Sequence, residues 1–433
     1  MRDLLILAIV LGGSLYGLRA PWVGAMVWTW VSLASPHMSI AWNLSTAPVG
    51  TISAVCTLLG LLFTRDRQNP LLGPSMWLLL AFVVWTTATL PFSVHYESSF
   101  DLWLRSIKIW LMLYVTVALI DTKKKLEVFV WVCVLSIGYF GFKGGLFTLA
   151  TGGGYRVWGP GGFIRGNNEF AVAMLMTIPM LRYLQMQMTN RWYRLGMTAC
   201  MLATAAAVLG SQSRGALLGI IAMTFFLWAK GAGKFKSLML IVATILVLLP
   251  FMPDTWWERM ASIQTYQEDE SVQGRFDAWG MAWELAKDRF PFGGGFMVST
   301  GNLFAIYAPD AQQNRAAHSI YFQILGEHGW AGLMLYLGVG LAAWLRAGRL
   351  IRQLKDQPEM QWAADLARMC QVSLIGFAAG GAFLSLAYFD LPYNCVAMIA
   401  LAYALATKPQ AAVKLNPEPR ASPLITGPGS AAG

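Results

Sequence analysis

Five short stretches hold the polar side chains of this chain that could do chemistry, and each lies beside a long apolar run. A glycine-rich segment from Gly152 to Gly162 leads into Arg165-Gly166-Asn167-Asn168-Glu169. Glycines let backbone approach a ligand closely, and the N–H groups at a helix start favour anions. The structural alternative is a tight loop with an Asn cap. Ser211-Gln212-Ser213-Arg214 joins two apolar runs with almost no loop, which leaves Arg214 at apolar depth. An ionisable group there is costly and marks function, unless it simply reaches out to lipid headgroups. Gln273-Gly274-Arg275 opens a stretch in which Phe276, Trp279 and Trp283 fall on one helix face. That stripe suits anchoring at a membrane interface, with Arg275 turned inward. Ala317-His318-Ser319 closes the longest polar segment. Histidine titrates near neutral pH, so His318 suits general-base work; a structural histidine is the alternative. Asp390 is a lone carboxylate in a short turn, placed to orient His318, to pair with an arginine, or to sit exposed. His328 reads as a packed polar residue, and His37 and His95 have no supporting pattern.

Arg165, Arg214 and Arg275, with Arg156 and Arg315, thus accompany one well-placed histidine. Arginine grips phosphate bidentately and stays charged when partly desolvated. Two or three of them beside an apolar layer suit a diphosphate joined to a lipid. The chain has no P-loop, no His-Glu-x-x-His, no Cys/His metal spacing and no paired outer aspartates, so neither metal nor cofactor is expected. The arginines would themselves have to neutralise a leaving pyrophosphate, a role that metals often take.

The elements that must position these residues follow from composition. Of 433 residues only 12% are charged, 56% are hydrophobic and 19 are Trp. An ordinary soluble domain carries about 25% charge. So few charges argue against a cytosolic globular enzyme, and the hydrophobicity argues against disorder. The expected fold class is all-α, a polytopic membrane protein with about twelve transmembrane helices and one long periplasmic loop. Continuous apolar runs fall near 4–18, 22–36, 44–63, 75–93, 102–120, 127–149, 168–187, 196–212, 214–229, 237–252, 320–345, 369–386 and 391–407. The first two are short and adjacent, so the first 63 residues cross two or three times.

Alternate loops carry 19 of the 32 basic residues, including Lys123 to Lys125 and the group Arg346, Arg349, Arg352, Lys355 and Arg368. This side is expected to be cytoplasmic. The net charge of +10 therefore reports topology, and no nucleic-acid partner is expected. The opposite side holds segment 253–319, with nine acids and five bases. The expected organisation is transmembrane helices over 1–252, a periplasmic segment with an amphipathic helix over 253–319, helices again over 320–407, and a disordered cytoplasmic tail over 408–433. No cleavable signal is evident, and the five cysteines lie in apolar runs, where disulfides are not expected.

In the order and placing of these motifs the chain resembles the O-antigen ligases and the related O-antigen polymerases, and most of all the O-glycosylation-ligase branch. The resemblance is strongest from Gly152 to Trp330. It rests on Arg165-Gly166-Asn167-Asn168-Glu169, Ser211-Gln212-Ser213-Arg214-Gly215, Gly274-Arg275, and Ala317-His318-Ser319 followed by Glu327-His328-Gly329. It implies a C-type glycosyltransferase-like fold in the bacterial inner membrane. It also implies metal-independent, inverting transfer of a glycan from undecaprenyl diphosphate to the lipid A core on the periplasmic face. His318 would then be the base, and Arg214 and Arg275 would bind the diphosphate. Arg165, Asn167, Glu169, Ser211 and Asp390 would be further substrate contacts. The implied partners are the undecaprenyl-diphosphate-linked glycan, the lipid A-core acceptor and membrane lipids. O-antigen polymerases and protein O-oligosaccharyltransferases share the donor and differ in acceptor. A transporter of lipid-linked glycans is the reading from another class, but transporters show repeated halves, and no such repeat is visible.

Overall fold

The computed structural model describes residues 2–40, 46–230, 239, 254, 257, 270–299, 302–311 and 313–407. Among these every regular element is a helix. In chain order they are α1 (Arg2–Gly17), α2 (Pro21–Ala34), the short α3 (Pro36–Ser39), α4 (Val49–Phe63), α5 (Pro74–Thr89), α6 (Tyr96–Leu119), α7 (Lys123–Ala150), α8 (Asn167–Met186), α9 (Arg191–Gly210) and α10 (Arg214–Lys230). They continue with α11 (Glu270–Asp288), α12 (Leu303–Tyr307), α13 (Ile320–Gln353), α14 (Gln361–Gly381) and α15 (Asp390–Thr407). Six stretches of helix are long and apolar enough to cross a membrane, and Val49–Phe63 and Arg214–Ala229 are shorter apolar helices. The protein is a multi-pass membrane protein. Expected run 237–252, the start of run 44–63, much of 253–269 and the tail from 408 lie outside the described residues. The other expected runs all fall on helices.

Helices inside a membrane gain little from the hydrophobic effect and associate by close backbone approach at small residues. Gly141 and Gly145 of α7, one turn apart, face Thr204 and Ala203 of α9, and a Cβ on Gly145 would overlap the Ala203 carbonyl. The same spacing appears on both sides of the α10–α14 contact. A Cβ on Gly215 would lie 3.3 Å from the Gly380 carbonyl, and one on Gly219 would lie 3.2 Å from that of Gly376. This crossing fixes the start of α10, and with it Arg214, against the end of α14.

Helix α13 is broken at Gly329, whose φ of 66° and ψ of −169° are non-helical. Such a break frees the carbonyls of the preceding turn, and an unsatisfied carbonyl in hydrocarbon costs several kcal/mol. Here each finds a partner. Gly294 N donates to Gly326 O (2.9 Å), Gly295 N to Glu327 O (2.8 Å), and Trp85 Nε1 to His328 O (2.9 Å). The glycine loop after α11 thus completes α13. A Cβ on Gly329 would collide with the Pro291 carbonyl, so the loop and the break fit only without a side chain.

The described part of segment 253–319 is therefore folded. Ala278, Met281 and Leu285 of α11 enclose a small core with Val298, Leu303 and Phe304. The aromatic stripe packs partly within the protein. Trp279 stacks on Phe322 of α13 with centroids 4.9 Å apart, and Trp283 meets Trp330 edge-on at 4.9 Å. Phe276 is exposed. Trp279 and Trp283 thus dock α11 on α13, while Trp283 and Phe276 keep an exposed apolar face.

The bundle has two distinct ends. One collects the start of α8, the α9–α10 corner, the start of α13 and the α14–α15 turn, joined by Asn167 Nδ2 to Ser211 O (2.8 Å) and His318 N to Ser385 Oγ (3.0 Å). The other is basic. There Arg346 Nη1 reaches Leu72 O at 2.7 Å, Lys123 lies over the Trp362 ring at 5.2 Å, and Arg368 pairs with Asp365 at 2.8 Å.

Candidate active site

His318 occupies the last position before Ser319, the N-cap of α13, and adopts a left-handed φ of 42°. A non-glycine residue persists in that conformation only where its surroundings hold it. Two contacts from distant elements do so. Its own N–H donates to Ser385 Oγ in the α14–α15 turn at 3.0 Å. The carbonyl of the preceding Ala317 accepts from Trp279 Nε1 of α11 at 2.7 Å. The imidazole is thereby held where α11, α13 and the α14–α15 turn meet.

Arg275 and Arg315 supply the field. Burial first, then the positive charges of Arg275 and Arg315, hold the His318 pKa below its ordinary value. At neutral pH the ring is accordingly unprotonated, the form that accepts a proton. Arg315 lies over Gly274, where an added Cβ would meet its Cδ at 2.8 Å. Its guanidinium donates through Nε (3.0 Å) and Nη2 (2.6 Å) to Gln313 Oε1. The glycine before Arg275 is thus the seat of the second arginine.

Arg214 opens α10 immediately after a tight corner in which Gln212 takes a φ of 56°. Gln212 ties the corner to the glycine-rich segment: Nε2 donates to Gly153 O (3.3 Å) and Oε1 accepts from Arg156 Nε (3.2 Å). Ser211 Oγ turns back to Val208 O at 2.5 Å. A Cβ on Gly215 would lie 3.7 Å from Phe383 Cβ, and the Phe383 ring is 6.2 Å from Trp279. One aromatic therefore separates the Arg214 corner from the tryptophan that pins the histidine loop.

The other sequence candidates divide. Arg165 is exposed, and its carbonyl accepts from Gly159 N at 3.1 Å. Asn167 is buried and spends its amide on the Ser211 carbonyl, so it braces the corner that presents Arg214. The Glu169 carboxylate folds back on Gly166 at the start of α8. Asp390 is buried away from this group. Its Oδ1 accepts from Ser32 Oγ at 2.5 Å, and the nearby charge is that of Arg105. Ser385, not Asp390, meets the histidine backbone.

Sequence reasoning missed Ser385, Thr89, Tyr388 and the part that Glu327 plays. His328, packed as expected, contacts Thr89 Oγ1 through Nδ1 (2.8 Å) and the Tyr388 hydroxyl through Nε2 (2.8 Å). Tyr388 also donates to the Glu327 carboxylate, whose Oε1 accepts from Met297 N at 3.1 Å. This buried chain locks the broken turn of α13 to the glycine loop. Among the described residues no group of three or more His, Cys, Asp or Glu side chains is arranged to hold a metal.

Residues 199–337 match the family model described as O-antigen ligase. This match supports membership of the O-antigen ligase superfamily. Residues 1–189 match a second model, described as a family of unknown function. No curated protein matches the chain. The ligase match contains the Arg214 corner, Arg275 and His318. Arg165, Asn167 and Glu169 fall in the second match, and Asp390 lies outside both. The superfamily is associated with glycosyltransferase activity of the O-antigen ligase and polymerase kind, on lipid-linked glycans.

Proposed function

We propose that the protein is an O-antigen ligase that moves a glycan from undecaprenyl diphosphate to a sugar of the lipid A core at the bundle end bearing His318, on the periplasmic face of the inner membrane. The observation that carries this reading is the placing of His318. It is a half-buried imidazole, pinned from α11 and from the α14–α15 turn, and kept unprotonated by burial and two arginines. In the reaction His318 takes the proton of the acceptor hydroxyl. The acceptor oxygen attacks the anomeric carbon from the face opposite the diphosphate. The bond from that carbon to the phosphate oxygen breaks, and its electron pair leaves with the diphosphate. Arg275 and Arg214 neutralise the departing charge, so no metal is required. One displacement inverts the anomeric centre.

The test is His318→Ala in a purified transfer assay with lipid-diphosphate-linked glycan. Transfer should fall by about 10²-fold or more, the scale of a lost general base, while donor binding persists. Near-normal turnover in this variant would remove the base from the mechanism. Activity lost in EDTA and restored by a divalent cation would overturn the metal-free step.

A further inference from the structure

A second polar recess opens at the same end of the bundle, between α2, α3, the start of α4, α6 and the first residue of α15. It encloses about 330 Å³. Its ionisable lining is His37, Asp101, Arg105, Lys108 and Asp390, with the hydroxyl of Ser32 beside the last. Asp101, Arg105 and Lys108 are spaced by four and three residues, so they share one face of α6, a helix otherwise apolar enough to span a membrane. Charges on such a helix that line a cavity default to a functional role.

The recess is built around its charges. The Arg105 guanidinium lies 4.0 Å over the Phe163 ring and faces the Asp390 carboxylate, which Ser32 fixes through a 2.5 Å bond. The Nδ1 atom of His37 is buried with no hydrogen-bond partner among the described residues, although buried polar atoms are ordinarily paired. None of these residues belongs to the His318 group. The two places are joined through residues 385–390, which carry Ser385 at one end and Asp390 at the other, and through the glycine-rich segment, whose Gly162 and Phe163 line the recess.

We propose that this recess binds a polyol phosphate, meaning a phosphate group attached to a hydroxylated sugar or glycerol unit. Both signs of charge in one cavity call for a ligand with two kinds of group. Arg105 and Lys108 take the phosphate, for which arginine provides paired donors and lysine a point charge. Asp390 and Asp101 accept hydroxyl protons, and His37 Nδ1 gains the partner it lacks. A ligand that was only anionic would be repelled by the two carboxylates. A neutral sugar would leave Lys108 without a counterpart, since Arg105 already faces Asp390. The chemistry fits two sources, a phosphosugar and the headgroup of a glycerol phospholipid.

The test uses the full-length protein in phosphatidylcholine nanodiscs, with saturation-transfer NMR on glucose 6-phosphate and on glucose. Saturation should reach glucose 6-phosphate and not glucose. The double variant Arg105→Gln, Lys108→Gln should weaken binding by about tenfold or more, and Arg105→Lys, Lys108→Arg should restore it in an equally well folded protein. His318→Ala and Arg275→Gln should leave this binding unchanged, so the result does not depend on the transfer reaction. Competition by phosphatidylglycerol in the disc would identify a lipid headgroup as the source, and its absence a phosphosugar. Equal saturation of glucose, no saturation of glucose 6-phosphate, or a signal lost in Arg275→Gln would overturn the assignment.

Discussion

At the scale of single residues, His318 combines an unusual backbone with a tuned ring. Its pKa lies below the ordinary histidine value because burial and then Arg275 and Arg315 disfavour the imidazolium. Removing a neighbouring positive charge makes protonation easier, so the pKa rises. Arg315→Gln should therefore move the acid limb of the kcat/KM profile to higher pH, with activity lost sooner as pH falls. An unchanged limb would mean that another group titrates there. Trp279→Phe tests the scaffold: it keeps a ring against Phe322 and deletes the bond to the Ala317 carbonyl. It should cost about 1 kcal/mol of stability and lower turnover several-fold, with donor affinity retained. His318, Arg275 and Arg214 stand out in the sequence because polar side chains beside apolar runs are conspicuous. Their supports do not. Ser385 lies 67 residues from His318, and Trp279 lies 38 from Ala317, so only folding brings them together.

At the scale of elements, the helices were legible because continuous apolar runs of membrane length have few other solutions. Boundaries were not always so. Helix α14 begins at Gln361, eight residues before its apolar run at 369, because Asp365 and Arg368 pair across one turn and extend the helix into the basic end. Helix α6 likewise begins before its apolar run at 102, and Asp101 of the added stretch Tyr96–Asp101 lines the recess. The α10–α14 crossing depends on glycine at both helices. Gly219→Leu would press a side chain against the Gly376 carbonyl and Leu175. Thermal unfolding in detergent should show a loss of about 1–3 kcal/mol, the usual cost of overpacking. Because this crossing seats Arg214, donor binding should weaken in the same variant. An unaltered melting profile would show that the helices do not rely on this approach.

At the scale of the whole molecule, the charge pattern along the chain becomes a polarity of the bundle. Arg346, Lys123 and Arg368 mark one end, and the Arg214 corner and His318 the other. The positive-inside rule predicts that the basic end faces the cytoplasm. Single cysteines at Tyr155 and Lys124, in a background whose five native cysteines are replaced, should then label from opposite sides with an impermeant maleimide. Tyr155→Cys should react in cells with a permeable outer membrane, and Lys124→Cys only after lysis. The reverse pattern would place the histidine end in the cytoplasm. The all-helical, multi-pass fold class followed from composition and spacing. The recess around Arg105 did not, because its lining comes from segments as far apart as Ser32 and Asp390.

The break at Gly329 also bears on how the chain assembles. A helix whose carbonyls are all answered within itself can enter the membrane as an independent rod. In α13 two are answered by Gly294 and Gly295 and a third by Trp85 of α5. The helix that carries the histidine loop is therefore finished by neighbours on either side of the matched ligase segment's boundary. A fragment starting at residue 300 would insert α13 with all three of those positions open, which makes the segment after α11 and Trp85 part of the helix in everything but sequence order.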